Sequence, residues 1–184
     1  CTRAVRPSRR PPIVTDALPC PGLRPMAMTR AHFDAFWPAF ETVVRAGETY
    51  ALDRDLGREA AAHLWLDLPE RSFAMVDEAV GTVLGTYCLK RNADGGGAQV
   101  CNCAYMTAPE ARGRGVATAM CMHSQHMARS LGYRAMQFNS VVSTNVGAVR
   151  LWRRLGFNIV GTIPGAFAHP SAGDVDLLVM HKAL

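Results

Sequence analysis

Apolar residues recur at two periods along the chain, and the switches between them predict its elements. Phe33, Phe36, Trp37, Phe40 and Val44 fall at helical spacing in RAHFDAFWPAFETVVRAGETY. Thr29 stands where an N-cap belongs, and Pro38, in mid-pattern, predicts a kink or a division. DRDLGREAAAHLWLDLP reads as a second helix stopped by Pro69. RSFAMVD and GTVLGTYCLK read as antiparallel strands about the turn DEAVG, with Gly85 marking a bulge. QVCNCAYMT is a strongly apolar strand expected at the centre of a sheet, and LRPMAMT is a weaker first strand. Val116, Ala117, Met120, Ser124, Met127, Ala128 and Leu131 then form one helical stripe that leaves His123, Gln125, His126 and Arg129 mostly off it; Gly132 ends that helix as a left-handed cap. YRAMQFNSVV is a further strand, and STNVGAVRLWRRLGF a helix begun by Ser143 or Thr144 and stopped by Gly156. NIVGTIP and DVDLLVMHKAL are closing strands, and the interleaved order gives an α/β fold.

The 184 residues suit one domain, expected over residues 23–184. The net charge of +5 adds little to that picture, because four of the five charges lie in residues 1–25, with five arginines against Asp16. Residues 1–22 therefore read as a disordered Pro/Arg-rich leader, solvated or serving as a nucleic-acid tail. No other feature points to nucleic acid, and no apolar run is long enough to predict a membrane helix or a secretory signal. Six cysteines without a Cys-x-x-Cys pair argue against a metal site and for buried free thiols in a reducing cytoplasm.

The chemistry centres on PEARGRGVATAM, Pro109 to Met120. A strand ending at Thr107, a Gly/Arg turn and a helix beginning near Arg114 leave backbone N–H groups unpaired at a helix start, where they bind phosphate. Gly113 and Gly115 admit the ligand without a Cβ in the way, and Arg112 and Arg114 offer charge-assisted bonds. A dinucleotide fingerprint fails at Thr118, and a Walker loop fails for want of lysine. A surface turn with no ligand is the alternative that this stretch alone leaves open.

About thirty residues on, NVGAVRLWRRLGF supplies a second motif. Together the two resemble the GCN5-related N-acetyltransferase (GNAT) superfamily. Arg112, Gly115 and Ala117 match [Q/R]-x-x-G-x-[G/A], and Asn145, Ala148, Trp152, Gly156 and Phe157 match N-x-x-A-x-x-x-[Y/W/F]-x-x-x-G-F. The resemblance implies a mixed, mostly antiparallel sheet splayed in the middle, with flanking helices and acetyl-CoA in the splay. It places the pyrophosphate on the amides of Arg112, Gly113, Arg114, Gly115, Val116 and Ala117, with Thr118 nearby. It pairs the pantetheine arm with the backbone of Met106 and Thr107, either of which could donate to the developing oxyanion, and sets Asn145 beside the thiol end.

Two departures bear on catalysis. Trp152 stands where many members carry an acidic tyrosine, so it packs on or bonds to the thiol end, or serves only as a core aromatic. VCNCAYMT lacks the frequent strand glutamate, leaving Asn102, Tyr105 and Asn139 as polar candidates; Asn139, in an apolar strand, must have a partner. Glu48 and Tyr50 are candidate acceptor contacts, with Tyr87 weaker. The tail PGAFAHPSAGDVD and FNSVVSTN resemble a microbial subgroup that acetylates amino acids and proline analogues, which brings in His169 and Asp176. Cys103 is the one nucleophile worth testing. The expectation is an acetyl-CoA-dependent N-acetyltransferase acting on a small-molecule amine by direct attack in a ternary complex. A protein or peptide amine is the alternative acceptor, a non-catalytic acyl-CoA sensor the alternative class, and a homodimer is compatible with the fold.

Overall fold

The computed structural model describes residues 20–184; residues 1–19, most of the expected leader, lie outside the described residues. Seven strands, β1 (Leu23–Ala27), β2 (Arg71–Asp77), β3 (Val83–Arg91), β4 (Val100–Thr107), β5 (Ala135–Val142), β6 (Asn158–His169) and β7 (Gly173–Ala183), form one open sheet. Their spatial order is β1-β2-β3-β4-β5-β7-β6. Every pairing is antiparallel except β4 with β5, which run parallel from Val100↔Ala135 to Asn102↔Gln137 and no further. The mixed, mostly antiparallel and centrally splayed sheet of the expectation is therefore present.

Four helices flank it: α1 (Arg30–Ala46), α2 (Arg58–Ala62), α3 (Val116–Ser130) and α4 (Val146–Arg154). Thr29 Oγ1 accepts from the His32 amide while His32 Nδ1 accepts from that of Thr29, closing a capping box at the start of α1. Pro38 neither divides nor ends α1. Its ring removes one helical donor at a cost of about 3 kcal/mol. Burying Phe33, Phe36, Phe40, Val43 and Val44, each worth roughly 1.5–3 kcal/mol, outweighs that loss. The second predicted helix is shorter than its pattern: α2 has five residues and runs into a π turn, His63–Asp67. That turn carries Trp65 inward, where Nε1 donates to Thr86 Oγ1 at 3.0 Å.

The bulge expected at Gly85 occurs, because Met75 pairs with Gly85 and Val76 with Val83, skipping Leu84. A Cβ on Gly85 would stand 2.9 Å from Val116 Cγ1 and 3.0 Å from the Met106 carbonyl, so this glycine lets α3 close onto β3. His123 and Gln125, expected off the α3 stripe, are buried. His123 Nδ1 lies 2.7 Å from the Tyr87 hydroxyl, and Gln125 Oε1 accepts from Lys182 Nζ. Burial pulls the His123 imidazole down to about 4, with His126 adding a smaller push, so it is neutral at physiological pH. Asn145, rather than Ser143 or Thr144, caps α4: its Oδ1 accepts from the Ala148 amide at 3.2 Å. At the other end Gly156 turns left-handed at φ 90° beneath Lys182, whose Nζ donates to the Leu155 carbonyl at 2.6 Å.

Candidate active site

The turn after β4 is built as a cradle. Gly115 caps α3 from φ 78° with no side-chain bond, and the first helical bond is Ala119 N–H to the Gly115 carbonyl at 3.0 Å. The amides of Val116, Ala117 and Thr118 precede that bond and point outward at the positive end of a 15-residue helix. A Cβ on Gly115 would also fall 2.5 Å from Cys20 Sγ, so glycine is required by conformation and by space. Arg112 lines the cleft, but Arg114 does not. Arg114 Nη2 instead binds Asp77 Oδ2 at 2.9 Å, an ion pair that holds the Asp77 carboxyl below the usual carboxylate range. The expected phosphate contact of the Arg114 side chain is thus withdrawn, and its amide is turned to the Ala111 carbonyl.

Strand register decides which backbone groups face the splay. The Val100 carbonyl accepts from Asn92 on the β3 side, and Ala108 N–H donates to Leu84 on that same side. The Gln99 carbonyl accepts from Arg134 on the β5 side. With an unbroken β3–β4 register, the even-numbered residues of β4 bond to β3 and the odd-numbered residues face β5. Beyond Asn102 the β4–β5 ladder stops, so the main-chain groups of Tyr105 and Thr107 border the opening. Thr107 presents its main chain to the opening, where the pantetheine role was expected of it. Met106 does not, because its main chain is paired with β3, although the residue lines the cleft.

One cavity of about 1020 Å³ joins the cradle to the far side of the sheet. It touches Trp152, Tyr105 and Asn139, the cradle, Asn145 and Ala148, and the acceptor candidates Glu48, Tyr50 and His169, but not Arg114, Tyr87 or Asp176. Trp152 is buried, its ring 5.0 Å from that of Tyr105 and 5.2 Å from that of Phe138. The Tyr105 hydroxyl is 2.7 Å from Ser124 Oγ on α3, and burial, reinforced by Cys103, holds the phenol well above its usual range. The Tyr50 hydroxyl donates to the Tyr105 carbonyl at the parting of the strands; burial raises this phenol too.

Asn139 is exposed rather than enclosed, because β5 bulges between Phe138 and Val141. It does have partners: Gln137 Nε2 donates to its Oδ1 at 2.9 Å, and its Nδ2 donates to Asn92 Oδ1 at 2.7 Å. His169 Nδ1 accepts from the amides of Ser171 and Ala172, both at 3.3 Å, which leaves the ring proton on Nε2 in the neutral form. Asp176 does not reach the cleft; its Oδ1 accepts from Gly165 N–H within the β6–β7 hairpin. Tyr87 is fully buried against His123, away from it. Burial raises the Cys88 thiol to about 12 and that of Cys103 well above its usual range, so neither is a thiolate at neutral pH. Among the described residues no cluster of His, Cys, Asp and Glu could hold a metal, and no helix is long and apolar enough to cross a membrane.

The amide cradle at the start of α3 and the free edge of β4 fit the acetyl-CoA that the motifs imply. Comparison with known proteins agrees. Residues 30–157 match the family described as "Acetyltransferase (GNAT) family". N-acetyltransferase aca1 of Schizosaccharomyces pombe is 25% identical over 138 residues, 67% of this chain and 66% of that relative, so the chain spans slightly under two thirds of its length. A GCN5-related N-acetyltransferase from Kribbella flavida superposes with a TM-score of 0.84 at 44% identity, covering 89% of this chain and 98% of that one. A phosphinothricin acetyltransferase from Sinorhizobium meliloti, solved in complex with AcCoA, shares the fold at a TM-score of 0.78 and 17% identity, covering 89% of each chain. The chain belongs to the acetyltransferase (GNAT) family, the acetyl-CoA-dependent acetyltransferases.

Proposed function

We propose that the chain transfers acetyl from acetyl-CoA to the amine of a small molecule, an amino acid or analogue, by direct attack in a ternary complex. The observation that carries this reading is the single cavity running from the α3 cradle, past the unpaired edge of β4, to Glu48, Tyr50 and Asn139. Acetyl-CoA supplies an activated acetyl group when bound. The cradle amides and Arg112 hold its phosphates, and the main chain of Thr107 aligns its arm. The N–H groups of Tyr105 and Thr107 face the site of developing negative charge on the carbonyl oxygen. Through its main chain Tyr105 contributes to catalysis; its phenol, tied to Ser124, supports the ring of Trp152 at the thiol end. Protonated Cys88 and Cys103 supply no acyl-enzyme nucleophile, which favours direct attack.

On the acceptor side Glu48 meets the amine, Asn139 holds acceptor or water, and His169 donates from Nε2. Tyr50, bonded to the Tyr105 carbonyl, shapes the passage between the two sides. Val160 and Ile163, exposed at 60% and 47% on edge strand β6, support pairing of two copies, which sedimentation would detect. The five described cysteines are all free, which accords with a cytoplasmic location. The test of function is CoA thiol release against amino acids, proline analogues, polyamines and short peptides, with products identified by mass spectrometry. A single strong amino-acid hit is expected; silence despite calorimetric acetyl-CoA binding would instead make the chain a sensor.

A further inference from the structure

The acceptor side holds a charge that the reaction itself does not use. Lys90, on the face of β3 turned toward the acceptor side, is exposed, lines the cavity and forms no ion pair among the described residues. Register sets it in a row: Lys90 is opposite Asn102 on β4, and Asn102 opposite Gln137 on β5. Asn102 also lines the cavity, and the Gln137–Asn139–Asn92 amide chain fixes the wall beside it. Amides contribute dipoles and hydrogen bonds but no compensating charge. The one carboxylate among the described residues lining the cavity is Glu48, on the α1–α2 connection. The acceptor wall is thus bipolar, with an anion from one segment and an unneutralised cation, flanked by amide donors, from another.

We propose that the acceptor carries, besides its reacting amine, a distal anionic group, a carboxylate or a phosphinate, and that Lys90 and Asn102 bind it. The inference rests on reading the cleft as an amine-acetylation site. Distance favours a distal group over one on the carbon next to the amine. Acetyl is presented along the Tyr105–Thr107 edge, and Asn102 lies three residues down the strand from Tyr105, about 10 Å at the rise of a β-strand. The four-carbon stem of Lys90 spans only part of that gap, so amine and anion are several bonds apart.

The experiment compares L-glutamate with its neutral isostere L-glutamine in the thiol-release assay, with L-phosphinothricin as the phosphinate arm. The anionic acceptors are expected to exceed L-glutamine in kcat/KM at least tenfold, and the order of the two arms identifies the anion. Lys90→Met should shrink the glutamate-to-glutamine ratio at least tenfold and Lys90→Arg should restore most of it. A second readout needs no turnover: calorimetry of L-glutamate and L-glutamine against the enzyme–CoA complex should show tighter, salt-sensitive binding of the anion, lost in Lys90→Met. Equal use of glutamate and glutamine by an active enzyme overturns the subsite and leaves the acetylation reading standing. Selective anion binding without thiol release from any amine does the reverse. Absence of anion-selective binding in the CoA complex, together with no anionic preference in turnover, removes Lys90 from the site.

Discussion

On the proposed cofactor side of the cleft the groups on offer are main-chain amides from one continuous stretch, Tyr105 to Thr118; on the proposed acceptor side they are side chains from the α1–α2 connection, β3, β4, β5 and the β6–β7 hairpin. The first wall depends on φ angles and on the absence of a Cβ, the second on what several separate segments bring together. Residue identity therefore matters on the first wall mainly where it is glycine, and on the second at nearly every position. The arginines of the turn illustrate the distinction. Arg112 and Arg114 differ little in sequence, yet one faces the cleft and the other is spent on Asp77.

The largest effect should come from distorting the cradle. Gly115→Val meets both the left-handed φ and Cys20 Sγ, and should weaken acetyl-CoA binding by calorimetry roughly a hundredfold. Retained affinity in a folded variant would mean that the amides are not the grip. Next, Tyr50→Phe removes the hydroxyl bonded to the Tyr105 carbonyl and should lower kcat/KM for the acceptor roughly tenfold, with the acetyl-CoA dissociation constant little changed. A matching loss in cofactor affinity would merge the two walls. Arg112→Ala should raise the KM for acetyl-CoA roughly tenfold, whereas Arg114→Ala should change it less than about twofold. Trp152→Phe should lower kcat only several-fold, roughly; complete loss with the fold intact would assign Trp152 a role in proton or charge transfer.

At neutral pH the smallest effect concerns α3, which carries the cradle. Neutral His123 is favoured in the folded state, with its imidazole near 4 against about 6.5 unfolded. Its contribution is fully present above pH 6.5 and is lost as pH falls toward 4, roughly 3 kcal/mol in total. Denaturant midpoints should therefore change little from pH 8 to 7 and fall below 6.5, and His123→Gln should flatten that fall. An equally steep fall in the variant would place the titration elsewhere.

The cradle, the cap at Thr29, the bulge at Gly85 and the splay were legible because each rests on a local signal or a matched motif. What escaped depends on neighbours. His123 and Gln125 lie off the α3 stripe, but Tyr87 and the end of β7 cover them, since periodicity places a residue on its own helix and says nothing of what packs over it. Arg114 and Asp77 are 37 positions apart. Met106 and Thr107 are adjacent and both polar in main chain; only register shows that one is committed to β3. The partners expected of Asn139 are present, but its exposure follows from a bulge in β5 that leaves no mark in MQFNSVV.

The alternation along β4 also separates two kinds of evolutionary freedom. Its odd-numbered residues offer cofactor contacts through atoms common to all amino acids, while the even-numbered side chains at Asn102 and Ala104 open onto the acceptor side. Exchanging those two side chains leaves the main-chain grip unaltered. A selection for new acceptors can therefore draw its library from Asn102, Ala104 and the facing Lys90, and expect variants that retain acetyl-CoA while changing the molecule they modify.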